Sequence, residues 1–469
     1  MGEPRLAGFV KNHYLLTEEV LVRSRMLGLV AALSFIAMTA CQKHEAPSGA
    51  QATTGDKKAP RTVTIWWAQW APADGLQELG HDYEKESGVA VKVHQIPWSN
   101  YQDQVFLNFG NKTTTFDIVV GDSQWLGRGA TSKLYLDLTD WLPTVVDLKT
   151  IHPQALRYLC EYPGGSGHYF AAPCETDAVG FAYRKDWFED PKEQTAFKAK
   201  YKRDLSVPNT WDEFKDIAEF FNRPATKRYG CALLTGRGYD ALVMGFQPFL
   251  WDFGGAWGDP ATYKVKGMLD TPGAADALKF MKQLLSYAPN DGSNMDYGKA
   301  LEAFTSGSTA MAMNYFAFYP KIVKDMGNKA GFFVAPAKGE KRMTSLGGQG
   351  MSISAKVSPD QQKLAKDFIA WFLKRSTQEK WITKEAGFTA STEILNSDAF
   401  KKATPYNEPF SRSMNHLQDF WNVPSYNELL AAAVQRLGEA LDGLKQPTQV
   451  LDAIATEHER IFKEAPVAK

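Results

Sequence analysis

Cysteine, histidine and net charge are all scarce in this 469-residue chain, and each scarcity closes off a chemistry. Lys+Arg and Asp+Glu both number 53, so the formal net charge is zero and no global field draws the chain toward nucleic acid or an anionic membrane surface. The 8 histidines are scattered, with no two at a helical spacing suited to zinc, and no metal site is expected. The motifs G-x-S-x-G, H-E-x-x-H and G-x-G-x-x-G do not occur. The segment GSNMDYGKA approaches a phosphate-binding loop but carries one residue too many between its glycines, and Ala300 stands where Ser or Thr is needed. With no reacting groups to name, the expectation is a protein that is not an enzyme and uses no cofactor.

Long apolar runs are missing too, with one exception near the start. Arg23 and Arg25 precede MLGLVAALSFIAMTA, a run too short for a comfortable membrane span, which ends on small residues before Cys41. MTAC resembles the lipobox of bacterial lipoproteins, which implies cleavage before Cys41 and lipid on its thiol; the bland alternative is a signal anchor with an incidental cysteine. Residues 1–40 are thus read as a signal segment, of which 1–21 are polar and unlike a usual signal start, as if upstream of the true initiation site. Residues 41–60, rich in Ala, Gly, Pro, Ser, Thr and Lys, cannot bury enough apolar surface to fold and read as a flexible tether. Beyond them the nearest approach to a span, ALVMGFQPFLWDFGGAW, is broken by Gly, Pro and Asp. Three internal cysteines allow at most one disulfide. Cys160 and Cys174 flank EYPGGSGHYFAAP, whose Gly-rich centre reads as a hairpin turn; a bridge across that hairpin and a pair of buried free thiols are both open, and the bridge is the reading carried forward. His168, in that turn, reads as a surface residue.

What is abundant is aromatic surface: 13% of the chain, including 13 Trp. The length favours two lobes with sizeable cores. From Arg61 the pattern alternates strand and helix: VTIWWA, PADGLQELGHDYEKESG, VAVKVHQIP, NYQDQVFLNFGNK, FDIVVGD. That is the rhythm of a parallel α/β sheet. Ligands in such sheets sit beyond the carboxyl ends of the strands, here the loops bearing Trp67, Gln69, Trp70 and then Asp122, Ser123, Gln124, Trp125. Further on, TWDEFKDIAEFFN, GAADALKFMKQLLSYA, PDQQKLAKDFIAWFLK, YNELLAAAVQRLGEALDGL and VLDAIATEHERIF read as helices, and SLGGQGMSIS as a strand entered through glycines.

In order and spacing, VTIWWAQW, FDIVVGDSQWLGRGATSKLYLDLT, HYFAAPCETDAVGFAYRKDWF, FLWDFGGAWGD, FTSGSTAMAMNYFAFYP, SLGGQGMSISA and VPSYNELL together resemble the extracellular solute-binding proteins of sugar ABC importers, the group that includes maltose-binding proteins. The resemblance implies an α/β, two-lobe periplasmic-binding-protein fold with a hinge and an interlobe ligand cleft. It places the first crossing between lobes at Glu175 to Asp177 and the second near Leu346 to Gly348. One lobe is then 61–175 with 346–395, the other 178–345 with 396–469. Family members commonly contact ligand where this chain has Trp67, Gln69, Trp70, Asp122, Trp125, Asp177, Trp251, Tyr315, Phe316, Gln349 and Trp421. The implied partners are a small-molecule carbohydrate, a membrane permease of an ABC importer and, through the lipid, the membrane; the implied setting is the cell envelope, as a monomer.

Carbohydrate chemistry agrees with that reading. A sugar ring has apolar C–H faces and a hydroxyl rim, so its site needs flat aromatic surfaces beside oriented carboxylates and amides. Trp67, Trp70, Trp125, Trp251 and Trp257 stand beside Gln69, Asp122, Gln124, Asp177 and Asp259. Each alone reads equally well as core Trp or capping Asp. The glycines Gly254, Gly255, Gly347, Gly348 and Gly350 serve either turns of positive φ or close approach of backbone to ligand. Two other classes stay open: a receptor for a cationic or polyamine-like solute, held in an acidic and aromatic cage of Asp122, Glu175 and Asp177, and an envelope glycoside hydrolase using two of these carboxylates.

Overall fold

The computed structural model describes residues 61–384, 387–465 and Val467. The signal segment, Cys41 and the tether lie outside the described residues. Strand β1 (Thr62–Ala68) buries Val63, Ile65 and Trp67 completely on alternate positions, the period of a strand with one face on a core. The helix Ala71–Ser87 follows, with Pro72 in its first turn and Leu76, Leu79 and Tyr83 turned inward; Gly88, left-handed at φ 68°, ends it by donating its N–H to Glu84 O. Strand β2 (Ala90–Ile96) then lies parallel to β1 in a register running from Thr62↔Ala90 to Ala68↔Ile96, and β3 (Ile118–Asp122) lies parallel on the other side of β1. The helix Trp98–Asn108 joins these two strands.

Beyond β3 the sheet stops being parallel. Strand β8 (Thr344–Ile353) returns from far down the chain and pairs antiparallel with β3, and β4 (Ala172–Arg184) pairs antiparallel with β8. Parallel pairing holds where consecutive strand–helix units cross over, in β2-β1-β3 and again between β5 (Tyr229–Ala232) and β6 (Thr309–Tyr315). The sheet is therefore mixed, in the order β2-β1-β3-β8-β4-β6-β5, with β7 (Ala330–Phe333) on β4 and the short β9 (Leu417–Gln418) on β8.

Strand β4 does two jobs along its 13 residues. Ala172 to Ala178 pair with β8, whereas Val179 to Tyr183 pair with β6 and Phe181 to Arg184 with β7. Its second half is covered by the helix Trp211–Phe221, whose start is fixed by a reciprocal cap between Thr210 and Glu213 and whose Trp211, Phe214, Ile217, Ala218 and Phe221 are buried. The helix Ala241–Asp252 is buried at every one of its 12 positions, so the apolar run ALVMGFQPFLWD is a core helix. Among the described residues no helix is long and apolar enough to cross a membrane. The helix Pro447–Glu464 packs on both Tyr426–Leu441 and Pro272–Leu285, tying the end of the chain to its middle.

The cysteine pairing needs correction. Cys160 and Cys174 are both buried free thiols, as is Cys231. The hairpin between them does form, with Glu161 bridged to Tyr169 and Phe170 N–H donating to Cys160 O. That register sets Cys160 opposite Phe170, with Cys174 four residues further along the chain. His168 is exposed at the turn.

Candidate functional site

A cavity of about 550 Å³ opens where the carboxyl ends of β1 and β3 face the loops before the helix Ala241–Asp252 and after β6. Gln69 and Trp70 reach it from the end of β1, Trp98 and Ser99 from the start of the helix after β2, and Asp122 and Gln124 from the end of β3. Asp177 enters from the middle of β4, Tyr315 and Phe318 from the end of β6, and Leu346 to Gln349 from β8. Tyr239, Asp240 and Tyr297 complete the opposite wall.

The aromatic side chains are locked by one another. Trp98 stacks on Trp125 at 5.9 Å and 18°, Trp125 Nε1 donates to Tyr239 Oη at 3.0 Å, and the Tyr239 ring meets Trp98 edge-on at 5.8 Å. Tyr297 stacks on Phe318 at 5.8 Å and donates its hydroxyl to Asp240 at 2.9 Å, while Tyr315 donates to Leu346 O at 3.0 Å. Trp70 lies 6.5 Å from Phe318 across the opening, and its buried indole N–H has no partner. Rings fixed in this way present flat faces at little entropic cost on binding.

The floor depends on glycine. Gly348 has φ 96°, and a Cβ there would stand 2.3 Å from Glu175 O; a Cβ on Gly347 would stand 2.5 Å from the Tyr315 ring. Both lie within strand β8; Gly348 alone has the positive φ that favours glycine, and the close approach of β4 and of the Tyr315 ring explains why neither position tolerates a side chain.

The electrostatics are dominated by carboxyls out of water. Asp177 Oδ1 accepts from Ala178 N–H at 2.7 Å and Oδ2 from Ala317 N–H at 3.1 Å, so the side chain ties β4 to the segment after β6. Burial nonetheless raises its pKa, as it raises that of the fully buried Glu175, whose two oxygens have no partner and which Asp177 pushes up further. Asp122 is raised well above the usual carboxylate range by burial first, then by Asp240 and Asp419. Asp240 and Asp419 are each pushed up to about 6, again by burial.

The residues singled out from sequence divide by place. Gln69, Trp70, Asp122, Asp177, Tyr315 and Gln349 come together around the cavity. Trp67 and Trp125 stand behind it, both fully buried, Trp67 donating to Gln349 Oε1 at 3.3 Å. Trp251, Gly255, Trp257, Phe316 and Trp421 are not brought to the cavity. Trp251 is buried in its helix, Gly255 is pressed against Leu250 and Ala274, and Phe316 fills the space left by Gly180. Trp257 bonds Gln247 and packs on Phe420, while Trp421 bonds the buried His458 and packs on Phe462. Trp98, Tyr239, Asp240, Tyr297 and Phe318 went unread. Trp98 follows β2 and Phe318 follows β6, both obeying the strand-end rule applied to β1 and β3; Tyr239 and Asp240 precede the helix Ala241–Asp252 and Tyr297 opens the helix Tyr297–Thr305, with no such marker.

An α/β sheet that changes partners along one strand, with a ring-and-carboxyl cavity at that change, defines the two-lobed solute receptors that hold a ligand in a hinged cleft. The profile of the family described as bacterial extracellular solute-binding protein matches residues 67–379, and the chain belongs to that family. It is similar to YcjN of Escherichia coli (strain K12), 26% identical over 193 residues, 40% of this chain and 42% of that protein. It is also similar to the maltotriose-binding protein of Pyrococcus abyssi (strain GE5 / Orsay), 23% identical over 306 residues, 64% of this chain and 60% of that one. The matched stretches therefore span less than two thirds of these relatives. Among solved structures, an ABC transporter solute binding protein from Agrobacterium radiobacter K84 in complex with ribitol superposes with a TM-score of 0.74 at 25% identity, over 86% of this chain and 99% of that one. Maltose-bound T. maritima MalE3 superposes at 0.73 and 22% identity, over 85% and 99%.

Proposed function

We propose that this protein is the substrate receptor of an ABC importer for a sugar or sugar-derived polyol, exported to the cell envelope, held there by lipid on Cys41, and closing its lobes on the solute before passing it to a permease. The observation that carries the proposal is the cavity itself, in which fixed rings at Trp70, Trp98, Tyr239, Tyr297 and Phe318 alternate with the hydrogen-bonding side chains of Gln69, Asp122, Asp177, Asp240 and Gln349. That is the pairing a ring with apolar faces and a hydroxyl rim requires. Ligand contacts are assigned to those residues, with Trp67 and Trp125 as backing. Family membership and the likeness to receptors bound to ribitol and maltose support the sugar class. The change of partner in β4 at Ala178/Val179 and the pairing of Leu346 to Met351 with β4 support lobes of 61–175 with 346–395 and 178–345 with 396–469.

The test is a thermal-shift screen of the whole chain, purified in detergent, against sugars, polyols, polyamines and amino acids, since a solute that binds only the folded state raises its stability. Sugars or polyols should give the largest shifts, and small-angle scattering should then detect compaction. Shifts confined to polyamines or amino acids would replace the sugar class, and tight binding without compaction would remove the hinge. Recovery of the solute unchanged separates a receptor from a glycoside hydrolase. Cys41→Ser should release the protein from membranes, whereas retention without the thiol would mark a signal anchor.

A further inference from the structure

The cavity has an unequal supply of hydrogen-bonding groups at one end. Asp122 and Asp240 line it there, and Asp419 lies behind them, bonded to Ser123 Oγ at 2.6 Å, Gln124 Nε2 at 3.5 Å and the Phe420 N–H at 2.8 Å. Ser123 has one hydroxyl proton and its shorter contact is with Asp419; Asp122, 3.1 Å away on the other side, keeps only the Ser123 main-chain amide. Gln124 is 2% exposed, turns its amide nitrogen to Asp419 and Met244 Sδ, and leaves Oε1 buried in the cavity wall with no partner. Asp240 is met by the Tyr297 hydroxyl at 2.9 Å and by the Trp98 indole, so the acceptor left without a donor is Gln124 Oε1; a buried acceptor in that state is costly, and this end suits a ligand that brings a donor.

The charges point the same way. Two carboxyls face the cavity and a third stands behind, yet no cation comes to meet them. Of the residues lining the cavity only Arg237 and Lys299 are cationic: Arg237 forks onto Asp442 at 2.6 and 2.7 Å, and Lys299, exposed, turns to Asn294 O at 3.3 Å. A neutral hydroxyl brings one donor and no charge, whereas an ammonium brings three donors and a positive charge. Burial raises the pKa of all three carboxyls, and repulsion from its acidic neighbours raises those of Asp122 and Asp240 further, a cost that a cation beside them would relieve. Beside them stand the faces of Trp98 and Tyr239, suited to a ring and to an adjacent cation alike.

Resting on the sugar reading above, we infer that the solute is an amino sugar, its protonated amine seated among Asp122, Asp240 and Gln124 Oε1 and its ring against Trp98 and Tyr239. Calorimetry on the whole chain in detergent tests this with matched probes: glucosamine against glucose, galactosamine against galactose, the N-acetyl form of each amine, and spermidine. The amine of at least one pair should bind at least tenfold tighter than its neutral partner, and N-acetylation, which keeps the ring but removes the charge, should erase the advantage. Asp122→Asn and Asp240→Asn should each shrink the amine-to-neutral ratio severalfold, with circular dichroism and Tm verifying that the variants fold. Neutral sugars binding as tightly as their amines, or N-acetyl forms binding as tightly as the free amines, would overturn the inference and leave the sugar reading standing. Binding of spermidine with no sugar bound would overturn both, and no binding by any probe would overturn the inference, the sugar reading then resting on the wider screen.

Discussion

Asp177 shows how one side chain can serve the fold and the site together. Its two oxygens hold amides from different segments, and the same carboxylate lines the cavity. Asp177→Ala should therefore lower ligand affinity by roughly 1.5–3 kcal/mol, the range for a charge-assisted hydrogen bond, and lower Tm as well, because the Ala178 and Ala317 amides lose their acceptor. Calorimetry and thermal unfolding read the two effects separately; an unchanged Tm would mean that the anchor carries no weight, and unchanged affinity would take Asp177 out of the site. At this scale the ends of β1 and β3 made the site legible, which is how Gln69, Trp70 and Asp122 could be found, and the same rule applied to β2 yields Trp98. Asp240 and Tyr297 were not legible, because no spacing shows that loops more than a hundred residues from Asp122 converge on it. Trp251, Trp257 and Trp421 misled for another reason: neither a family position nor polar neighbours reveals tertiary packing, and packing against Phe420, His458 and Phe462 claimed two of these rings while the fully buried helix claimed the third.

Among the elements, β8 and β4 carry the most consequence. Gly348 meets β4 so closely that Gly348→Ala should cost about 1–3 kcal/mol for the left-handed backbone alone and more for the clash with Glu175 O. Gly88 supplies the control: it too has positive φ, 68°, but nothing lies within 4 Å of a Cβ there, so Gly88→Ala should show only the backbone cost. Equal losses of Tm in the two variants would refute the close approach as the reason for glycine. The hairpin before β4 yields a chemical prediction. Burial raises the pKa of the Cys160, Cys174 and Cys231 thiols, so all three should resist alkylation in the native state and all three should react after denaturation without reductant. A protected pair after denaturation would revive the bridge. The strands and long helices were readable from hydrophobic period, since β1, β2 and the amphipathic helices each have a solvent side. The mixed order of the sheet was not, because which distant strand lies beside β3 depends on chain return and leaves no local mark.

For the molecule as a whole, the raised carboxyls set a direction for stability against pH. Asp252, bonded to the Trp211 indole and the Met343 amide, is pushed up to about 7 by burial, and Asp240 and Asp419 to about 6. Each keeps its proton in the folded state at pH values where the unfolded chain has lost it, so the folded state binds more protons and stability falls as pH rises through these values. His458, lowered to about 4 by burial, works in the opposite sense but only below the ordinary histidine pKa near 6.5. His152 and His416, also lowered, add to the opposing sense, which fades as pH climbs past 6.5; from about pH 7.5 upward the carboxyls dominate, with Asp177 raised to about 8, and the ligand-free protein should lose Tm steadily there. A flat or rising Tm would show that these groups are not held protonated.

The two roles of β4 also bear on how the chain can be divided. Because one uninterrupted strand supplies rungs to β8 at one end and to β6 and β7 at the other, a cut at Ala178/Val179 splits that strand and sends β8, the partner of both β3 and the first half of β4, with the C-terminal piece. Neither piece then has a natural edge there, and each exposes unpaired backbone that its counterpart would satisfy. The join is the place at which two fragments, made apart, would have most to gain by finding each other again.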